Sequence, residues 1–134
     1  MTALEQFVSD WQDNDTRTRQ AFGELLAHLK TLDHTELTFT ARPGVSFSLR
    51  PRHDRQKKRT LFALVDVIDD DPDNRWLSVC FYKEMITDPE ECGDLVPGGL
   101  LGEDACCFDL DEYDAGLLAY IKERLTEAHG NAPE

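Results

Sequence analysis

Apolar residues near the start of the chain recur at the spacing of a helix. Leu4, Phe7, Val8 and Trp11 follow one another at intervals of three and four residues, which puts them on one helical face. Thr2 and Glu5 have the spacing of a capping box, in which each side chain accepts a backbone N–H of the other residue. A second run with the same spacing begins at Phe22 and ends before Asp33. Residues 1–33 are therefore predicted to be helical.

The spacing of the apolar residues changes to two after this segment, which is typical of strands. Residues 36–82 contain four apolar runs. Turn-forming residues separate the first run from the second and the third run from the fourth. Pro43-Gly44 follows the first run and suits a type II turn, while the acidic stretch Asp69–Asn74 follows the third. We expect two β-hairpins over residues 36–82.

The remainder of the chain combines an irregular segment with a third helix. Residues 84–110 carry four of the eight glycines and many acidic residues, and are expected to form a long acidic loop region, within which residues 105–110 fit a fifth, edge strand. Residues 114–128 have helical periodicity. The sequence predicts one α+β domain over residues 1–134. Its antiparallel sheet has four to five strands, and the N-terminal helices and the C-terminal helix pack on one face.

Bulk composition narrows the classes of partner. A chain of 134 residues, 40% of them hydrophobic, can bury a core without a metal or a disulfide. Its net charge of -13 disfavours nucleic acid and anionic membranes. No apolar run approaches the ~20 residues of a membrane span, and the N-terminus lacks the features of a secretory signal. The sequence favours a cytoplasmic location, where the four cysteines are expected to be free thiols.

Charge is strongly segregated along the chain. Six of the 14 basic residues lie between positions 50 and 59, whereas residues 84–121 contain no Lys or Arg and 11 of the 27 acidic residues. The candidate contacts for an anion or a partner are Arg50, Arg52, Arg55, Lys57, Lys58 and Arg59. A second candidate contact, for a partner, consists of Leu100, Leu101, Glu103 and Asp104. Alternatively, the basic segment is a solvated loop, or it pairs with the acidic segment within or between chains.

The cysteines offer an alternative chemistry. Cys92, Cys106 and Cys107 could converge with His129 and hold zinc through their thiolates. No pair has the C-x-x-C spacing, so ordinary buried cysteines are the competing interpretation. Neighbouring acidic residues such as Glu90 would raise a thiol pKa and oppose reactivity. The sequence singles out no catalytic residue and implies no cofactor.

Four stretches carry a resemblance to a known group. They are LFALVDVI (61–68), RWLSVCF (75–81), EECGDLVPG (90–98) and LLAYIKERL (117–125). Together they cover about half the chain, and they resemble the MmcQ/YjbR-like group of small bacterial proteins and their relatives. The resemblance implies a bacterial α+β protein of a group that has been linked to DNA binding. The group usually has basic and aromatic residues after the P-G, whereas residues 99–104 here are acidic and apolar, which argues against that role.

These observations favour a non-catalytic binding protein with a protein partner, or a homodimer. One alternative is a metal- or thiol-dependent protein that uses Cys92, Cys106 and Cys107. The other is a protein that binds an anion or nucleic acid through the segment 50–59. Nucleic acid and membranes are not expected as partners, because the net charge opposes both.

Overall fold

A computed structural model describes residues 1–134 and contains three α-helices and six β-strands. The helices are α1 (Ala3–Asp10), α2 (Thr18–Lys30) and α3 (Ala115–Asn131). The strands are β1 (Thr35–Arg42), β2 (Ser46–His53), β3 (Leu64–Ile68), β4 (Trp76–Tyr82), β5 (Asp94–Leu100) and β6 (Glu103–Leu110), and a 3-10 turn, Lys83–Met85, follows β4. The strands form one antiparallel sheet in the order β1-β2-β3-β4-β6-β5. The α+β class is confirmed.

The first two hairpins form where the turn chemistry predicts them. Gly44 has a φ of +83°, which a residue without Cβ adopts at little cost, and the N–H of Val45 bonds to the carbonyl of Arg42 at 2.9 Å. Buried Asp69 closes the second turn onto the first. Its carboxylate accepts the Gly44 N–H at 2.8 Å and the Nε–H of Arg75 at 2.7 Å. The two hairpins are thus fixed to each other at one end of the sheet.

All three helices contribute to one core on one face of the sheet. Phe7 of α1 stacks on Phe47 of β2 with ring centroids 4.1 Å apart, and Tyr120 of α3 lies 5.9 Å from Phe108 of β6. Polar caps begin two of the helices. Thr2 forms the predicted capping box with Glu5, and Asp114 caps α3 by accepting the N–H of Leu117 at 3.0 Å. In β2, β3 and most of β4 the core residues follow the two-residue alternation of a single face, whereas Tyr82, Ala105 and Cys107 are buried on the opposite face.

The sheet has six strands and not the four to five expected, because most of the expected loop over residues 84–110 forms a hairpin. The strand predicted over residues 105–110 is present within β6, although it lies inside the sheet and not at its edge. Residues 94–110 form a hairpin, β5–β6, in which β6 pairs with β4 and β5 lies at the edge of the sheet. Every residue of β5 except Leu100 is exposed. An edge strand that buries one side chain has no alternating pattern, so periodicity alone cannot reveal it.

None of the three helices combines the length and the hydropathy of a membrane-spanning segment.

Candidate functional site

No helix covers the second face of the sheet, which we call the open face. Strand register arranges its side chains in rows that cross the strands. The first row is Arg42, Ser46, Ile68 and Trp76, and the second is Thr40, Ser48, Asp66, Ser78 and Asp109. The third row is Thr38, Arg50, Leu64, Cys80, Cys107 and Asp94. A polar row therefore crosses the middle of the open face, with apolar residues on both sides of it.

Asp66 is the central acidic group of this polar row. The hydroxyl of Ser48, itself 1% exposed, donates to its Oδ1 at 2.5 Å. Burial raises the pKa of Asp66, although the Ser48 hydrogen bond and the charges of Arg50 and Arg42 act in the opposite direction. Burial also raises the pKa of Asp109, with a further contribution from the charge of Asp94. Two carboxylates are thus partly desolvated on a face that no helix covers.

Apolar side chains flank the polar row. Ile68 and Trp76 are cross-strand partners on one side of it, and both are half-buried. Leu64 lies on the other side, also half-buried. Packing among the side chains of this face removes water from Asp66 and leaves part of the apolar surface exposed. Apolar surface that stays partly exposed beside polar groups is typical of protein interaction sites.

A disulfide on the open face joins β4 and β6, which are neighbours in the sheet. Cys80 of β4 and Cys107 of β6 are direct cross-strand partners with Cα atoms 4.1 Å apart, and their sulfurs are bonded. The expectation of four free thiols is therefore wrong for this pair. Only Cys92 and Cys106 are free.

The predicted basic segment does not form a single surface. Arg50 and Arg52 belong to β2 rather than to a loop, and both lie on the open face. The Nε of Arg50 is buried without a hydrogen-bond partner. Arg52 instead donates to Glu36 Oε2 at 3.2 Å and to the carbonyl of Gln56 at 2.7 Å. The connecting loop begins after His53.

The rest of the segment is tied to other parts of the chain. Lys57, Lys58 and Arg55 are exposed, and the backbone N–H groups of the two lysines donate to the side-chain carboxylate of Glu134. Arg59 bonds to Glu84 and, through its Nε, to Glu103 Oε2 at 3.1 Å. These contacts show that part of the basic segment pairs with the acidic segment within the chain, which was one of the alternatives.

Arg59 also stacks on an aromatic ring. Its guanidinium carbon lies 4.4 Å from the ring centroid of Tyr82, a distance at which a cation is attracted by the ring electrons. The hydrogen bond from Arg59 lowers the pKa of Glu103. The planar face and the donor edge of its guanidinium are therefore both occupied, so Arg59 is not available to an external anion.

The β5–β6 turn separates the residues of the second candidate contact. Leu100 is 1% exposed and belongs to the core, whereas its neighbour Leu101 is 62% exposed. Glu103 binds Arg59, and Asp104 accepts the N–H of Gly98 at 3.1 Å. Of these four residues only Leu101 presents an apolar side chain to solvent.

The four metal candidates do not converge. Cys106 faces the core and Cys107 the open face, because successive residues of a strand point to opposite sides. Cys92 is exposed, and His129 lies against His53 with ring centroids 4.9 Å apart. No group of three or more His, Cys, Asp or Glu residues has the arrangement of a metal site. Burial, with Asp88 and Asp94, raises the pKa of the Cys106 thiol.

Comparison with protein-family models, with curated proteins and with solved structures found no match. The fold and the site define the class of protein that can be stated, an α+β protein with a six-stranded sheet that helices cover on one face. The resemblance to the MmcQ/YjbR-like group stays a prediction.

Sequence reasoning missed the open face as a site. Its central residues, Ser48, Asp66 and Ser78, are far apart along the chain and unremarkable one by one. The available signal was the polar positions that alternate with core residues in the two central runs, TLFALVDVI and WLSVCFY. These positions form a row only when the register between strands is known.

Proposed function

We propose that this protein works by binding a protein partner, without catalysis, and that the open face is its contact surface. The observation that carries the proposal is the half-buried group of Leu64, Ile68 and Trp76 on a face that no helix covers. In water this group exposes apolar surface that a partner would bury. Each Å² of apolar area so buried contributes about 25 cal/mol.

The surroundings of this apolar group also support binding rather than chemistry. The carboxylates Asp66 and Asp109 share the row with serine hydroxyls, and no histidine or lysine of the sheet stands in that row. Groups on the uncovered face of a sheet do not enclose a substrate, while they suit the polar contacts that orient a docked protein.

The experiment uses immobilised protein and two matched variants. Ile68→Arg puts a charge in the apolar part of the open face, and Ala27→Arg adds the same charge at an exposed position of α2. Proteins from an extract of the source cells that bind the wild type and Ala27→Arg, but not Ile68→Arg, support the proposal. If Ile68→Arg retains every protein that the wild type binds, the proposal is wrong.

A further inference from the structure

Charge is distributed asymmetrically over the open face. Its β1–β2 side carries Arg42 and Arg50, whereas its β6–β5 side carries Asp109 and Asp94. The two central strands, β3 and β4, contribute the apolar residues Leu64, Ile68, Trp76 and Cys80. The face therefore has a positive side and a negative side, with a strip between them that is apolar except for Asp66 and Ser78.

We propose that the open face binds a second copy of this chain, in a two-fold symmetric dimer whose axis runs parallel to the strands. The inference rests on the proposed function, since it names the partner of that same surface. A face with opposite charges on its two halves and an apolar centre is complementary to itself, which an isologous dimer requires.

The strand order selects the direction of the axis. A two-fold axis parallel to the strands and between the sheets places β1 over β5, β2 over β6 and β3 over β4 of the other copy. Arg42 and Arg50 of one copy then lie beside Asp109 and Asp94 of the other. The apolar strip packs on its own counterpart, with the sheets rotated by about 30° because each is twisted.

The alternative axis is disfavoured by repulsion. A two-fold axis across the strands would place each strand over its own copy, so that the positive side of one copy lies over the positive side of the other and the negative side over the negative side. Like charges that face each other across an interface oppose association. Charge complementarity thus distinguishes two arrangements that bury the same apolar residues.

The size of the face sets the expected affinity. Six strands about 4.8 Å apart and roughly 20 Å long give ~500 Å² of face per copy, or about 1,000 Å² in total. This value is at the lower limit of specific interfaces. The net charge of -13 on each copy opposes association as well. We expect a dissociation constant of ~1–100 μM that separates the copies on dilution.

The test is sedimentation equilibrium of the full chain and its variants. Arg42→Asp and Asp109→Arg change exposed residues of the open face, and a double variant carries both changes. Lys57→Asp changes the net charge by the same amount as Arg42→Asp at an exposed position off the face, and Ala27→Arg adds one positive charge on α2.

The wild-type mass should rise from 15.3 kDa toward twice that value with concentration. Each single face variant should weaken the dimer about tenfold or more. The double variant should restore it to within about threefold, because the two exchanged positions again carry opposite charges. Asp109→Arg is decisive, since it makes the chain less acidic: general repulsion would predict a tighter dimer. Lys57→Asp and Ala27→Arg should change the affinity less than threefold.

A wild-type mass that stays at the monomer value at every concentration would overturn the dimer. A double variant no better than the single variants would overturn the axis on which the inference depends. If the chain stays monomeric while Ile68→Arg loses a different protein in the capture experiment, the dimer fails and the proposed function stands.

Discussion

Asp66 shows how the open face shapes the properties of a single residue. Its carboxylate is ringed by side chains that exclude water, and one serine hydroxyl is its only hydrogen-bond donor. The ionised form is disfavoured there, so its pKa in the folded protein is raised. A group of this kind favours folding most at acidic pH, and its contribution is lost as the pH rises through the raised value. At neutral pH the ionised carboxylate therefore costs stability.

Asp66→Asn should stabilise the protein at pH 7, because the amide removes the buried charge and its oxygen still accepts the Ser48 hydroxyl. Urea unfolding at several pH values is the measurement. The midpoint should be higher for the variant at pH 7, and the difference should shrink as the pH falls toward 4. A variant that is less stable than the wild type at pH 7 would show that the attraction to Arg50 and Arg42 outweighs burial.

His53 should give stability the opposite dependence on pH. It is 4% exposed, at the end of β2. Its Nδ1 accepts the N–H of Arg55 at 3.1 Å, and the rings of His129 and His34 lie 4.9 Å and 5.8 Å away. Burial, followed by the charge of His129, lowers its pKa, while Asp54 opposes the shift.

The neutral imidazole is therefore the form that the fold accepts, and stability should fall as the pH drops below about 6.5. His53→Asn keeps an acceptor for the Arg55 N–H and cannot gain a proton. Melting temperatures measured between pH 7.5 and 5.5 should decline less for this variant than for the wild type. Burial also lowers the pKa of His28. The His28→Gln variant therefore shows how much of the decline in melting temperature comes from this second histidine. Equal slopes for the wild type and His53→Asn would contradict the assignment.

At the scale of elements, the parts of the fold with strong local patterns were predictable. The capping box at Thr2, the turn at Gly44 and the periodicity of α3 follow from short-range chemistry, and the structure confirms them. The β5–β6 hairpin was not predictable, because β5 buries only Leu100. The rows of the open face and the Cys80–Cys107 bond depend on the pairing of β4 with β6, two strands that are separated along the chain by β5. That pairing is non-local and leaves no periodic signal.

The β5–β6 hairpin contains two neighbouring leucines, of which Leu100 is buried and Leu101 is exposed. Leu100→Ala should lower the free energy of unfolding by about 2–4 kcal/mol, because it leaves a cavity in the core. Leu101→Ala should change it by less than about 0.5 kcal/mol, because Leu101 is 62% exposed. Urea denaturation of both variants measures the difference. Similar costs for the two changes would mean that β5 does not anchor in the core.

The disulfide should stabilise the C-terminal half of the sheet. It closes a loop with a sequence separation of 27 residues, for which loss of chain entropy in the unfolded state predicts about 3.5 kcal/mol. Urea unfolding of the wild type with and without a reductant should show this loss. The doubly substituted Cys80→Ser/Cys107→Ser chain should not respond to the reductant. A wild type that is equally insensitive would contradict a stabilising bond.

At the scale of the whole molecule, charge segregation has two different outcomes. Arg59 joins the basic segment to the acidic segment inside the chain, through Glu84 and Glu103. Arg42 and Arg50 instead oppose Asp109 and Asp94 across the open face, on strands too far apart for contact within one copy. In the first arrangement the charges form salt bridges within the chain. In the second, the charges of Arg42 and Arg50 act on Asp66 within the same copy, and we propose that the two sides of the face also recognise the partner.

The central claim is that the open face is covered when the protein works, and photo-crosslinking from within that face tests it most directly. A benzophenone amino acid would replace Ile68 in one variant and exposed Ala27 of α2 in another, and both would be irradiated in the source cells. The account predicts an adduct from position 68 at twice the 15.3 kDa of the chain, and none from position 27. No adduct from position 68, or the same adducts from both positions, would contradict it.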